Sequence, residues 1–371
     1  MLDPRITALA KNLVNYSVSL QKGEKLYIEA YDIDAPLVKE LVKEAFRVGA
    51  YPFVAKFDQQ VQRELLLGGG KELFELMAKY ATYKMADMDA YIGVRGSQNS
   101  MELSDVPSKN TQDFVTYYQQ PVHSNIRVTK TKWVILRYPT PSFAQLSGMS
   151  TDEFENFFFN VCNLDYRKMD HAMTPLCELL DATYKVRIIA KNTDISFSIK
   201  GIPAVKCKGD RNIPDGEVYT APVKDSVNGR ITYNAPSIHN GLKHENVSLL
   251  FKDGKIIEAT SNHQQAIDKV FDTDEGARYI GEFAIGVNPY ITKPVGDILF
   301  DEKISGSIHF TPGNCYDEAY NGNKSAIHWD LVLIQTPEFG GGEIWFDDVL
   351  VRKDGIFVHP ALLGLNPENL K

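Results

Sequence analysis

Hydrophobic positions follow two different rhythms along this chain. In the first half, short apolar runs alternate with stretches of helical spacing. Residues 24–31 (EKLYIEAY), 51–57 (YPFVAKF), 89–96 (DAYIGVRG) and 132–139 (KWVILRYP) read as strands. Residues 35–50 read as a helix closed by Gly49, and 71–88 as a second helix. Leu2, Ile6, Leu9, Leu13 and Val14 recur at helical spacing, which predicts an amphipathic N-terminal helix and not a signal peptide. Gly68–Gly70 lie between two helical patterns with no strand before them, so they predict a turn and not a phosphate loop. Strand–helix–strand repetition of this kind predicts a mostly parallel sheet with helices on its faces.

After Tyr184 the rhythm changes to a period of two. Residues 185–201 (KVRIIAKNTDISFSIKG) alternate, and 251–259 (FKDGKIIEA) place a DG turn between two strand-like runs, a hairpin signal. We therefore expect an α/β N-terminal domain over 1–182 and a β-rich α+β domain over 183–371, a division that suits a chain of 371 residues. In the second domain, 323–335 (NKSAIHWDLVLIQ) reads as a buried strand that nonetheless carries His328 and Asp330 on one face. Burying both groups is costly unless each other, a basic residue or a metal pairs with them.

Composition narrows the classes. Hydrophobic residues at 43% and charged ones at 24% describe a soluble globular protein, and no apolar run approaches the roughly 20 residues of a membrane span. A net charge of −8 without a basic tract argues against nucleic-acid binding. Cys162, Cys177, Cys207 and Cys315 are dispersed without a CxxC pair, as expected of reduced thiols in a cytoplasmic protein. The sequence has no GxSxG, P-loop, GxGxxG or HExxH motif.

Acidic residues and histidines in glycine-punctuated apolar runs remain as the candidate chemistry. Glu217 follows a Pro-Asp-Gly turn in 212–222 (NIPDGEVYTAP), and Glu282 stands between Gly281 and Gly286 in 279–289 (YIGEFAIGVNP). Residues 298–310 (ILFDEKISGSIHF) add Glu302 and His309. Singly, each has an ordinary reading: a solvated strand start, a charged turn at Asp301–Lys303, a core histidine, a buried His–Asp pair. Together they form the donor set of a hard or borderline divalent cation. Four clustered carboxylates call for about two divalent ions, which in hydrolytic sites stand roughly 3.5–4 Å apart.

In this order, NIPDGEVYTAP, GEFAIGVNP, DEKISGSIH and SAIHWD resemble the M29 family of metalloaminopeptidases. The resemblance implies that Glu217, Glu282, Glu302, His309, His328 and Asp330 hold two ions (zinc, cobalt or manganese), with Glu282 as the bridge. It implies a water activated between them, Tyr316 as a donor to the developing oxyanion, and Glu217 or Glu282 as the proton shuttle. A cytoplasmic homodimer acting on short peptides, without nucleic-acid or membrane partners, is implied as well. One departure stands out: the segment 303–308 (KISGSI) is longer than in many members, which sets Glu302 apart from the other five. Two readings compete with this one: a binuclear amidase or esterase of a non-peptide substrate, and a catalytically silent relative. A nucleotide-binding role for the N-terminal half has no glycine fingerprint to support it.

Overall fold

The computed structural model describes residues 3–239 and 241–371; Leu2, the first position of the predicted N-terminal helix, lies outside them. The chain divides into two compact units. The first comprises Met1–Asn163 with Gly209–Ile213. Its sheet has five parallel strands in the order Tyr51–Phe57, Lys25–Tyr31, Ala90–Arg95, Lys132–Arg137, Asn212–Ile213. The strands Lys25–Tyr31 and Ala90–Arg95 read as apolar runs because both of their faces are covered. Helix Ala35–Val48 stops where Gly49 turns left-handed, at φ +85. Helices Gln59–Gly68 and Lys71–Ala86 meet at the triple glycine. The N-terminal helix Pro4–Asn12 is capped by the Asp3 carboxylate and buries Ile6 and Leu9.

This unit contains a buried polar cluster that its packing must satisfy. Glu29 accepts from Arg95 at 2.8 Å and from the Tyr91 hydroxyl at 3.0 Å. Beside them, Arg127 Nε donates to Nδ1 of the buried His123 at 3.2 Å. Burial first, with the Arg127 and Arg95 charges adding to it, holds the His123 imidazolium pKa down to about 4. In the unfolded chain His123 takes up a proton near pH 6.5, whereas the folded one resists until about 4. Stability from this group is therefore intact above pH 6.5 and lost as pH falls toward 4, to a limit of about 3 kcal/mol. Urea unfolding followed by far-UV signal at several pH values is expected to show that slope, and His123→Gln to flatten it. An identical slope in the variant would assign the effect to other groups.

The second unit comprises Leu164–Lys208 and Pro214–Lys371. Helix Tyr166–Ala182, which precedes the change of rhythm in the sequence, belongs to it. An eight-stranded antiparallel sheet includes the expected hairpin Ser248–Lys252/Lys255–Thr260. Its two turn residues, Asp253 and Gly254, are both left-handed (φ +49 and +82), as a tight hairpin requires. The other large sheet has five antiparallel strands in the order Val332–Ile334, Ser307–Pro312, Ile280–Gly286, Glu217–Thr220, Val205–Cys207. Phe197 of the larger sheet packs on Phe283 and Phe310 of the smaller one, with ring centroids 5.1 and 4.9 Å apart. The central strand Ile280–Gly286 is buried at every position. Among the described residues no helix is long and apolar enough to cross a membrane, and all four cysteines are free thiols.

One expected element is shorter than its apolar pattern suggests. Of 326–334, only Val332–Ile334 pairs as a strand, and His328 makes a lone bridge to Gly313. Upstream of it, specific bonds replace the regular ladder: Trp329 N donates to Pro312 O, and His328 Nδ1 lies 2.8 Å from Asn314 O. The alternation persists without the strand: Trp329 is buried while His328 and Asp330 share the other side.

Candidate metal centre

The period of two in the smaller sheet builds the site. Register places Glu217 opposite Gly286, His309 opposite Ala284 and Thr311 opposite Glu282. All these residues therefore lie on one face, and Ala284 and Gly286 between them leave room for the polar groups. Gly286 also admits the loop bearing Glu302: a β-carbon there would lie 2.4 Å from Ile304 O. The loop is tied to the adjoining segment where Asn288 N donates to Lys303 O at 3.0 Å. Glu217 begins its strand straight after Gly216, whose left-handed φ of +128 turns the chain.

All six sequence-predicted ligands come together here. The two oxygens of Glu282 face different imidazoles: Oε1 is 3.2 Å from His309 Nε2, and Oε2 is 3.2 Å from His328 Nε2. His328 Nε2 is also 3.2 Å from Asp330 Oδ1, which accepts from the Thr311 hydroxyl at 2.7 Å. His309 Nδ1 lies 3.5 Å from Glu217 Oε2. Both of those last atoms are buried, and neither has a hydrogen-bond partner. Three triads of possible ligand atoms, each within 4.8 Å, result: Glu217–Glu282–His309, Glu282–His328–Asp330 and Glu302–His309–Asp330. Tyr316 stands at the open side, its ring centroid 4.8 Å from that of His328.

Electrostatics shows how far the cluster is from neutral water. Burial opposes the His328 charge, but Asp330 and Glu282 outweigh it and lift the imidazolium pKa to about 11. For His309, burial is again overcome, chiefly by Glu217 and Glu282, to about 10. Burial raises Glu302 to about 8, with Lys303 pulling the other way. Asp330 is held well below the usual carboxylate range by the His328 charge, against burial. Bonding of His328 Nδ1 to a backbone carbonyl leaves Nε2 aimed at the carboxylates, the orientation in which a metal-binding imidazole is usually fixed.

Sequence reading passed over Lys303 and Asp215. Lys303 is 1% exposed, and its Nζ lies 2.5 Å from Glu217 Oε1, 2.7 Å from Glu302 Oε1 and 3.6 Å from Asp215 Oδ1. In sequence it belongs to a charged triplet that reads as a solvated turn. The available signal was the excess of carboxylates over cations among the predicted ligands.

Residues 2–340 match the family model described as thermophilic metalloprotease (M29). The chain is 34% identical to aminopeptidase T of Thermus aquaticus, over 88% of this chain and 92% of that protein. It is 23% identical to aminopeptidase 2 of Geobacillus stearothermophilus, over 95% of each. Wild-type AmpT from Thermus thermophilus superposes with a TM-score of 0.80 at 20% identity, covering 96% of this chain and all of that one. A 2,5-dihydroxypyridine dioxygenase from Pseudomonas putida KT2440 shares the fold at a TM-score of 0.63 and 15% identity, covering 96% and 98%.

Proposed function

Because this chain belongs to the M29 family of thermophilic metalloproteases and is a metalloaminopeptidase, we propose that the Glu282-centred cluster is its catalytic centre. On this reading Glu217, Glu282, Glu302, His309, His328 and Asp330 hold divalent metal for the release of N-terminal residues from short peptides. The observation that carries the proposal is the position of Glu282, each of whose oxygens faces a separate histidine. Carboxylates and imidazoles suit zinc, cobalt and manganese alike, and the buried Glu217 Oε2 and His309 Nδ1, which have no hydrogen-bond partner, are donor atoms that a cation would satisfy. Two of the three triads meet at Glu282, which supports the finer expectation of a pair of ions with a water between them.

Bound divalent metal would supply an acidified water and polarise the scissile carbonyl. The protein's own groups do the rest. Glu217 or Glu282 carries a proton toward the leaving amine. Tyr316, whose phenol is pushed well above its usual range by burial and by the Glu282 and Asp330 charges and so stays protonated, donates toward the developing oxyanion from the open side of the cluster. Thr311 and Asn314 keep Asp330 and His328 in place. The same reading takes the protein to be a cytoplasmic homodimer.

A panel of aminoacyl-p-nitroanilides and short peptides tests the proposal. We expect activity to vanish on metal stripping, to return with zinc, manganese or cobalt, and to be absent from His328→Ala. Silence across the panel with metal still bound would transfer the site to another amide or ester substrate. Silence without bound metal would leave a non-catalytic relative.

A further inference from the structure

The smaller sheet gathers one more acidic group than the proposed metal centre uses. Asp215 Oδ1, Glu217 Oε1 and Glu302 Oε1 converge, and Cys207, Asp215 and Glu217 also place ligand atoms within 4.8 Å of one another. By residue type this is a cation pocket. Its occupant is already in the chain: the Lys303 ammonium stands 2.5–3.6 Å from all three carboxylates, at 1% exposure. We infer that Lys303 is a built-in cation that fills the Asp215–Glu217–Glu302 pocket and keeps a divalent ion out of it, so that Glu217 serves the metal centre through its other oxygen, Oε2. The inference rests on the reading of this cluster as a metal centre.

Three physical points support it. An ammonium is a compact charge with three donors, and here three carboxylates surround it. Burying it unpaired would cost several kcal/mol, so the carboxylates and the lysine hold one another in place. The backbone fixes its position from both sides, since Lys303 N donates to Phe300 O and Asn288 N donates to Lys303 O, each at 3.0 Å. The grip is also selective. Lys303 engages Glu217 through Oε1 and leaves Oε2 bare and directed at His309, so it orients that ligand as an outer-shell partner would. Lys303 is thus a positioning residue.

A neutral side chain at 303 would leave the pocket's carboxylates without their cation, and hard oxygen donors then favour an ion such as Mn2+. The test is the number of Mn2+ ions retained per chain after equilibration and gel filtration, by metal analysis with the manganese resonance as signature. Lys303→Met and Lys303→Gln are expected to hold one ion more than the wild type. A variant that folds only with Mn2+ supplied counts the same way. The wild-type count in both variants, the carboxylates having simply taken up protons, would overturn the inference, as would failure of both to fold at saturating Mn2+. The outcome is separable from the aminopeptidase reading: the ion count reports on Lys303, whereas the wild-type substrate panel reports on the activity.

Discussion

Glu282→Gln is expected to lower peptide hydrolysis by on the order of 10³-fold, the equivalent of about 4 kcal/mol of lost metal polarisation, and to strip the centre of metal. Each oxygen of Glu282 lies 3.2 Å from a different imidazole, and Glu282 is 3% exposed at the middle of a wholly buried strand. Glutamine keeps the volume and loses the charge, so both triads that contain Glu282 fail together. Glu302→Gln makes the useful contrast. Glu302 lies on a loop at the margin of the cluster with one oxygen already on Lys303, and its loss is expected to weaken metal binding by only roughly 10–100-fold, because that carboxylate is shared with the ammonium. Metal content, circular dichroism and kcat/KM measured on both variants decide the matter. Equal losses in the two would displace Glu282 from the centre of the site, and a normal metal content in Glu282→Gln would remove it from the ligand set.

Metal uptake is expected to release protons and to tighten steeply with pH. In the metal-free protein His309 and His328 hold their protons to about 10 and about 11, because the surrounding carboxylates overcome the cost of burial. Metal binds only the neutral ring. Each displaced proton should therefore raise the apparent affinity by about tenfold per pH unit between roughly pH 6.5 and 10. Calorimetry in buffers of different ionisation enthalpy counts those protons. Stability of the metal-free protein should move the opposite way. Both imidazoles have folded pKa values raised above the unfolded 6.5, so their contribution is complete below pH 6.5 and is lost as pH rises toward 10 and 11. Saturating metal, at about 1,000 times its Kd, adds about 4 kcal/mol and masks that decline. No proton release between pH 6 and 8 would exclude both histidines as ligands.

Much of this centre could be read from local pattern because a strand has a fixed period. Glu217, Glu282 and His309 each interrupt an apolar run, and a polar group that survives there marks the face on which something must pair with it. The same reasoning placed His328 and Asp330 together, although only Val332–Ile334 forms the strand. In that segment the side chains bond to Asn314 and Thr311, and no window of the sequence displays those partners. The parallel strands Lys25–Tyr31 and Ala90–Arg95 were likewise visible, since burial on both faces demands continuous apolar runs.

Lys303 marks the other limit. Beside Asp301 and Glu302 it has the composition of a solvated turn, and its charge alone favours that reading. Its burial depends on Glu217, 86 residues away, and on Gly286 opening a place for the loop. By itself the sequence determined which residues alternate, which share a face and which donor chemistry that face offers, because those follow from backbone periodicity within a few residues. The tertiary structure alone decided which carboxylates meet a histidine and which meet the lysine. Pairing of buried charges depends on distances of a few ångströms between strands and loops far apart in the chain.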